Sequence, residues 1–256
     1  MGNSARTLQP LREDWQRALC VVAHPDDLEY GAASAVARWT AQGKEVSYLL
    51  ATQGEAGIDG VPPEKAGPLR IAEERAGALK VGVDSVEFLD YPDGMVEYGL
   101  PLRRDITRVI RRRKPDVIVS YAFTERLAGR ITNQADHRAV GSAALDAARD
   151  AGNRWIFPEL VTDEGLQPWT GVRFVCFGSA PQPSHGVDVT EFLDAGIASL
   201  SAHHEYMLGL GASAFDPVDL LTSAATAYGE RLGVHRAVAF DVFEIIPNTA
   251  TLDIEH

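Results

Sequence analysis

Between residues 18 and 123 four short apolar runs alternate with stretches of helical periodicity, a rhythm that few architectures accept. The runs are LCVVAH (19–24), EVSYLLAT (45–52), SVEFLDY (85–91) and PDVIVSYAF (115–123). Rich in β-branched and aromatic residues and too short for buried helices, they predict strands. Between them, EYGAASAVARWTAQGK (29–44), residues 69–80 and PLRRDITRVIRRRK (101–114) predict helices, with Gly43 as a C-terminal stop. Such alternation implies an α/β fold, a Rossmann-like and mostly parallel sheet joined by right-handed crossovers and flanked by helices. Beyond residue 150 the rhythm loosens. Strands are expected at 172–179, 186–190 and 237–246, and helices at 191–210 and 219–233. This C-terminal subregion is expected to complete the pocket of one domain spanning 18–256, after a loosely held polar arm over 1–17. The run Arg111-Arg112-Arg113-Lys114 reads as a solvated helix end whose cations complement the helix dipole.

Composition narrows the function classes. The 256 residues carry 24 Lys and Arg against 36 Asp and Glu, a net charge of −12, which argues against nucleic acid as the main partner. No apolar stretch reaches the ~18 residues of a membrane span, and the N-terminus lacks a signal-peptide core. Cys20 and Cys176 each sit in an apolar run and are expected to be buried thiols. A reducing cytoplasm is therefore the expected location, and a homo-oligomer is compatible with everything in the chain.

In open α/β sheets ligands bind beyond the carboxyl ends of the strands. Polar clusters fall there: His24-Pro25-Asp26-Asp27, Thr52-Gln53-Gly54-Glu55, Tyr91-Pro92-Asp93-Gly94 and Asp136-His137. No dinucleotide fingerprint, phosphate loop, G-x-S-x-G elbow or C-x-x-C pair is present. What is left is a metal site of nitrogen and oxygen ligands. His24 and Asp27, with His137 from another strand's loop, are the ligand set of a catalytic zinc with one position open. Asp26 is the candidate general base. The same residues also admit a plainer reading, in which the acids cap helices and His24 is a turn residue.

The segment Ala23-His24-Pro25-Asp26-Asp27-Leu28-Glu29, the later Asp136-His137-Arg138-Ala139-Val140 and the intervening Thr52-x-Gly54-Glu55-x-Gly57, Arg70-x-x-Glu73, Pro92-Asp93-Gly94 and Lys114-Pro115-Asp116-Val117 resemble the zinc-dependent de-N-acetylases of the PIG-L/LmbE-like family. Val187-Asp188-Val189-Thr190 and Ala202-His203 extend the likeness to about residue 210. The resemblance implies His24, Asp27 and His137 as zinc ligands, with Fe²⁺ or Co²⁺ also suited to such donors. It implies Asp26 as general base, Arg70 against sugar hydroxyls, and Asp93 and Glu55 at the substrate pocket. The substrate it implies is a small N-acyl amino sugar or glycoconjugate, hydrolysed at its linear amide. Two departures stand out. The family's H-P-D-H reads Gln134-Ala135-Asp136-His137 here, so an amide replaces an imidazole, with His203 (or His204 or His185) a candidate substitute in catalysis. Val238 stands where the family often has Glu. Two further readings share these residues: an amidase for a larger conjugate or secondary-metabolite intermediate, and a catalytically silent metal- or sugar-binding protein.

Overall fold

The computed structural model describes residues 7–127, 131–211 and 216–245. Its strands are β1 (Gln9–Pro10), β2 (Arg17–Val22), β3 (Glu45–Leu50), β4 (Val86–Phe88), β5 (Val117–Tyr121), β6 (Phe174–Gly178), β7 (His185–Asp188) and β8 (Ala237–Glu244). They form one sheet in the order β1-β7-β8-β6-β5-β2-β3-β4. All neighbours are parallel except β8, which runs antiparallel to both β6 and β7. The expected α/β, mostly parallel architecture is present. Ile246, the end of the last expected strand, lies outside the described residues.

The sheet is covered on both faces, which is why its strands read as unbroken apolar runs rather than as alternating ones. Successive side chains of a strand point to opposite faces. Cys20 and Val22 therefore enter one core with Tyr48, Val119 and Trp39, while Leu19 and Val21 enter the other with Leu49, Ile118 and Phe177. The second core is closed by α4 (Leu100–Arg113) and α5 (Ala135–Asp150), through Ile106, Ile110, Val140 and Ala144. The first is closed largely by α2 (Ala33–Ala41).

Several local expectations shift. The helix expected over 29–44 is two, α1 (Asp27–Gly31) and α2, broken at Ala32. Helix α3 (Pro63–Lys80) begins six residues ahead of the expected Leu69, because Pro63 suits a first helical turn. The helix expected over 191–210 splits into α7 (Leu193–Ser201) and α8 (His204–Gly209). Glu73 causes the second helix to start there: its carboxylate accepts the Glu205 and Tyr206 N–H groups at 2.6 and 3.4 Å. Arg111 is not solvated. It is 1% exposed and donates to the carbonyls of Ala151, Asn153 and Ile156, anchoring the chain after α5. The short α6 (Glu159–Thr162) lies between α5 and β6, and a last helix, α9 (Pro217–Leu232), packs on β8.

The arm expected over 1–17 is not loose where it is described. From residue 7 onward it is docked: Gln9 and Pro10 pair with His185 and Gly186, and Leu8, Leu11 and Trp15 are buried. Trp15 meets Trp39 edge-to-face at 5.1 Å, and its ring nitrogen donates to the Arg12 carbonyl at 3.0 Å. Polar residues between these anchors hide the pattern in the sequence. Trp15→Ala is expected to cost about 3–5 kcal/mol in chemical denaturation. A loss below about 1 kcal/mol would return the segment to an arm.

Candidate metal centre and catalytic cleft

Strand β2 has β3 on one side and β5 on the other, so connections leave in opposite directions at the ends of β2 and β5. A crevice opens at such a point. The β2 end supplies His24, Asp26 and Asp27, and the loop after β5 leads to His137 in the first turn of α5. Register places Val21 beside Ser120, whose hydroxyl donates to the Val21 carbonyl at 2.7 Å, fixing the two strand ends together.

Asp26 has φ 94°, a left-handed conformation that costs a non-glycine residue on the order of 1–3 kcal/mol. Its backbone N–H is held by Glu74 Oε2 at 3.1 Å. The turn sends two adjacent carboxylates in different directions. Asp27 Oδ1 lies 2.9 Å from His137 Nε2 and 3.8 Å from His24 Nδ1. Its Oδ2 accepts the N–H groups of Ala23 and His24 at 3.0 and 2.9 Å. Asp26 Oδ2 instead lies 3.3 Å from Arg70 Nη2, and among the described residues no hydrogen bond is made to that oxygen.

His24 Nδ1 and His137 Nε2 face one another at 3.2 Å. The far side of each ring fixes its tautomer. Asn133 donates its amide N–H to the Ala122 and Thr124 carbonyls at 2.6 and 2.8 Å, so its Oδ1, 2.8 Å from His137 Nδ1, accepts that proton. His24 Nε2 sits 3.2 Å from Asp136 Oδ2 and 3.1 Å from Asp93 Oδ1, two acceptors. Asp136 is held in turn by the N–H groups of Gly94 and Val96 at 2.8 and 3.1 Å. Both facing nitrogens thus present lone pairs, with a carboxylate oxygen beside them. Two lone pairs cannot bond each other; a cation between them satisfies both. The edge of a tetrahedron with ~2.05 Å arms is about 3.3 Å, so the donors fit a zinc-sized ion. Supporting bonds of this kind orient metal ligands and raise their basicity. Asn133→Ala is expected to weaken metal affinity about 10–100-fold in competition with a chelating dye. Unchanged affinity would show that Asn133 does not orient the ligand.

Charge in the cleft favours the same conclusion. Burial works against a charged His24, but bonds to Asp136, Asp27 and Asp93 outweigh it and hold the imidazole well above its ordinary pKa, so the acids around it draw positive charge to this spot and a metal ion competes with a proton for the Nδ1 lone pair. The pull of His137 and His24 overcomes burial and keeps Asp27 far below the carboxylate range. Burial is the largest influence on Asp93 and raises it, but the His24 hydrogen bond and charge, the Ala56 N–H and Arg70 together outweigh it and hold the carboxyl below its ordinary value. Asp26 is the exception: burial pushes it up to about 6, against the pull of Arg70.

These groups line a cleft of about 410 Å³ together with Tyr30, Tyr121, Gln134 and Tyr206. Arg70 is in its wall but only 2% exposed, donating through Nη2 to the Pro25 carbonyl and stacking under Tyr206 with 3.5 Å to the ring centroid. Gly54, at φ 65°, lets the loop after β3 pass over this guanidinium, since a Cβ there would come within 3.0 Å of Arg70 Nε. Asp93 and Gln134 also reach the cleft. Glu55 does not. Its two oxygens accept the N–H groups of Asp93 and Gln53 at 2.8 and 3.2 Å, so it holds the loops together.

His203 does not reach the cleft either. The break between α7 and α8 turns its ring inward, where it is fully buried 3.7 Å from Glu74 and 3.9 Å from Glu29. Burial drives it down to about 3 and Glu29 up to about 7, with Glu74 raised too, which favours neutral forms of all three. This cluster supports Asp26 from behind, through Glu74. His204 is exposed and His185 lies in β7, so neither joins the cleft. Asn133 and Tyr206 are additions that the sequence hardly signals. Asn133 stands four residues before His137, one helical turn away, whereas Tyr206 arrives only through the helix break.

Among known proteins, residues 19–148 match the PIG-L family, described as GlcNAc-PI de-N-acetylase. The diacetylchitobiose deacetylase of Thermococcus kodakarensis is 29% identical over 196 residues, covering 74% of this chain and 70% of that protein. A 1D-myo-inositol 2-acetamido-2-deoxy-alpha-D-glucopyranoside deacetylase of Kineococcus radiotolerans is 31% identical, over 62% of this chain and 54% of its own length. The solved structure of the N,N'-diacetylchitobiose deacetylase from Pyrococcus horikoshii, in complex with an inhibitor, superposes with a TM-score of 0.81 at 23% identity. It covers 93% of this chain and 89% of that one, and establishes the shared fold.

Proposed function

Since this chain belongs to the PIG-L family, we propose that it is a metal-dependent hydrolase that removes an N-acetyl or related N-acyl group from an amino-sugar substrate. The observation that carries this reading is the pair of imidazole lone pairs facing each other beside Asp27, with a second, unligated carboxylate one residue away. The relatives whose names state a substrate act on N-acetylated glucosamine compounds, which agrees with it.

His24 Nδ1, Asp27 Oδ1 and His137 Nε2 hold the cation, and a nitrogen–oxygen set of this kind accepts zinc, iron(II) or cobalt(II). When bound, the cation supplies Lewis acidity that brings a water's pKa toward ~7 and polarises an amide carbonyl. Asp26 takes the proton of the attacking water as its oxygen joins the acyl carbon. As the carbon–nitrogen bond breaks, Asp26, now a carboxylic acid, returns that proton to the leaving nitrogen. One buried carboxyl therefore serves both steps, and Gln134 needs only to donate an amide N–H to the substrate. Arg70 and Tyr206 keep Asp26 in place, and Asp93 presents the polar wall for sugar hydroxyls.

Cys20 and Cys176 are buried free thiols, which suits a reducing, cytoplasmic site of action; among the described residues no helix is long and apolar enough to cross a membrane. Amine release from N-acetylglucosamine conjugates, with and without chelator, tests the reading. Chelator-sensitive release is expected. Metal binding without release from any amide would make the chain a silent binding protein.

A further inference from the structure

A second cavity of about 410 Å³ adjoins the catalytic cleft, and Tyr30, Tyr121, Leu127 and Ile131 line both. Beyond this doorway the walls are small or apolar, formed by Ala33, Leu193, Leu221, Ala225, Val238 and Ala239. Four elements contribute them: α2, α7, α9 and β8. One carboxyl side chain, Glu29, takes part, and its Oε1 accepts the Ser199 hydroxyl at 2.9 Å. The size and character are those of a ligand chamber, since small-molecule sites run to roughly 300–1,000 Å³ and are mostly apolar.

The two halves of an amide substrate differ in what they need. A sugar's hydroxyls require partners, and the cleft offers Asp93 and Gln134. The acyl half requires none. With the hydroxylated half against those residues, the acyl group leaves the reaction centre through the tyrosine doorway into the apolar chamber. An acetyl methyl, comparable to the ~30 Å³ share of one water, would leave the chamber almost empty. Resting on the amide-hydrolase reading above, we infer that this protein accepts amino sugars carrying long N-acyl chains, and that the chamber lined by Val238 and α9 holds the alkyl tail. The reaction is the same hydrolysis: water's oxygen joins the acyl carbon, the carbon–nitrogen bond breaks, and a fatty acid and a free amine leave.

The test is kcat/KM of the metal-loaded enzyme for glucosamine N-acylated with chains from acetyl to octanoyl. A rise of roughly 30-fold or more is expected, a fraction of the ~4-fold per methylene that full alkyl burial supplies. Ala224→Phe, which fills the chamber from α9, and Val238→Glu, which puts a charge in its wall, should each abolish the rise while N-acetyl turnover stays within about twofold. A flat or falling series with N-acetyl substrate still hydrolysed overturns this inference and leaves the deacetylase reading standing. A rise confined to alkyl glycosides of N-acetylglucosamine overturns it too, by placing the chain on the other half of the substrate. If no amide is turned over, the deacetylase reading fails, and calorimetry on the same protein with acetate and octanoate decides the chamber. Tighter octanoate binding that Val238→Glu removes supports it; equal binding overturns it.

Discussion

Replacing Asp26 by Asn is expected to lower kcat by about 10²–10⁴-fold while bound metal stays at one equivalent per chain. Asn is isosteric and tolerates the left-handed backbone at φ 94°, so the turn that separates residues 26 and 27 survives. The change removes one property, the ability to take and return a proton. Arg70 and Tyr206 then face a neutral amide, a loss that a thermal melt will register as small beside the kinetic effect. Turnover within about tenfold of the parent, at full metal occupancy, would remove Asp26 from the proton transfer. Comparison with Asp26→Ala separates geometry from chemistry, because Ala adds strain in the left-handed region.

The second large effect is expected at Asp27. Asp27→Ala removes a ligand oxygen and also the acceptor of the Ala23 and His24 N–H groups, so the strand end loses two anchors together with the cation. Metal content is expected to fall below about 0.1 equivalent after dialysis, with activity down about 10³-fold or more, as several kcal/mol of charge stabilisation disappear. Chelation of the unaltered protein tests the same point through stability. An ion that binds only the folded chain contributes about 4 kcal/mol at a thousandfold excess over its Kd, so the melting temperature should drop on chelation. The drop should be absent in Asp27→Ala. A chelator without effect on either melting or turnover would refute the metal centre.

Much of the fold is legible because it rests on short-range chemistry. Apolar runs of strand length separated by helical stretches leave little besides a covered parallel sheet, and strand-end residues fall at the rim whatever the strand order. Helix ends are less legible, because long-range contacts set them. The helix expected over 191–210 has no proline to break it, and what divides it is Glu73, about 130 residues earlier in the chain, capping a new first turn. That single long-range contact moves His203 out of the cleft and brings Tyr206 in. Likewise the docked segment from residue 7 is not foretold by its pattern: the anchors Leu8, Leu11 and Trp15 are spaced as on a helix, yet they sit around the two-residue strand β1 and irregular backbone.

Residue types alone single out the side chains able to carry such chemistry, His24, Asp26, Asp27 and His137, because ligand type is a property of the residue and ends of parallel strands fall at one rim of the sheet. How those side chains are arranged follows only from long-range packing. The pairing of β2 with β5 brings two imidazoles to 3.2 Å, Asn133 and the Asp93–Asp136 pair choose their tautomers, and burial against Arg70 and Tyr206 distinguishes Asp26 from its neighbour. The apolar chamber belongs to the same class, being built from four elements far apart in the chain. Periodicity records what a residue does to its own helix or strand; which elements meet follows from summed burial and hydrogen bonding over the whole chain, and that is settled only when the chain packs.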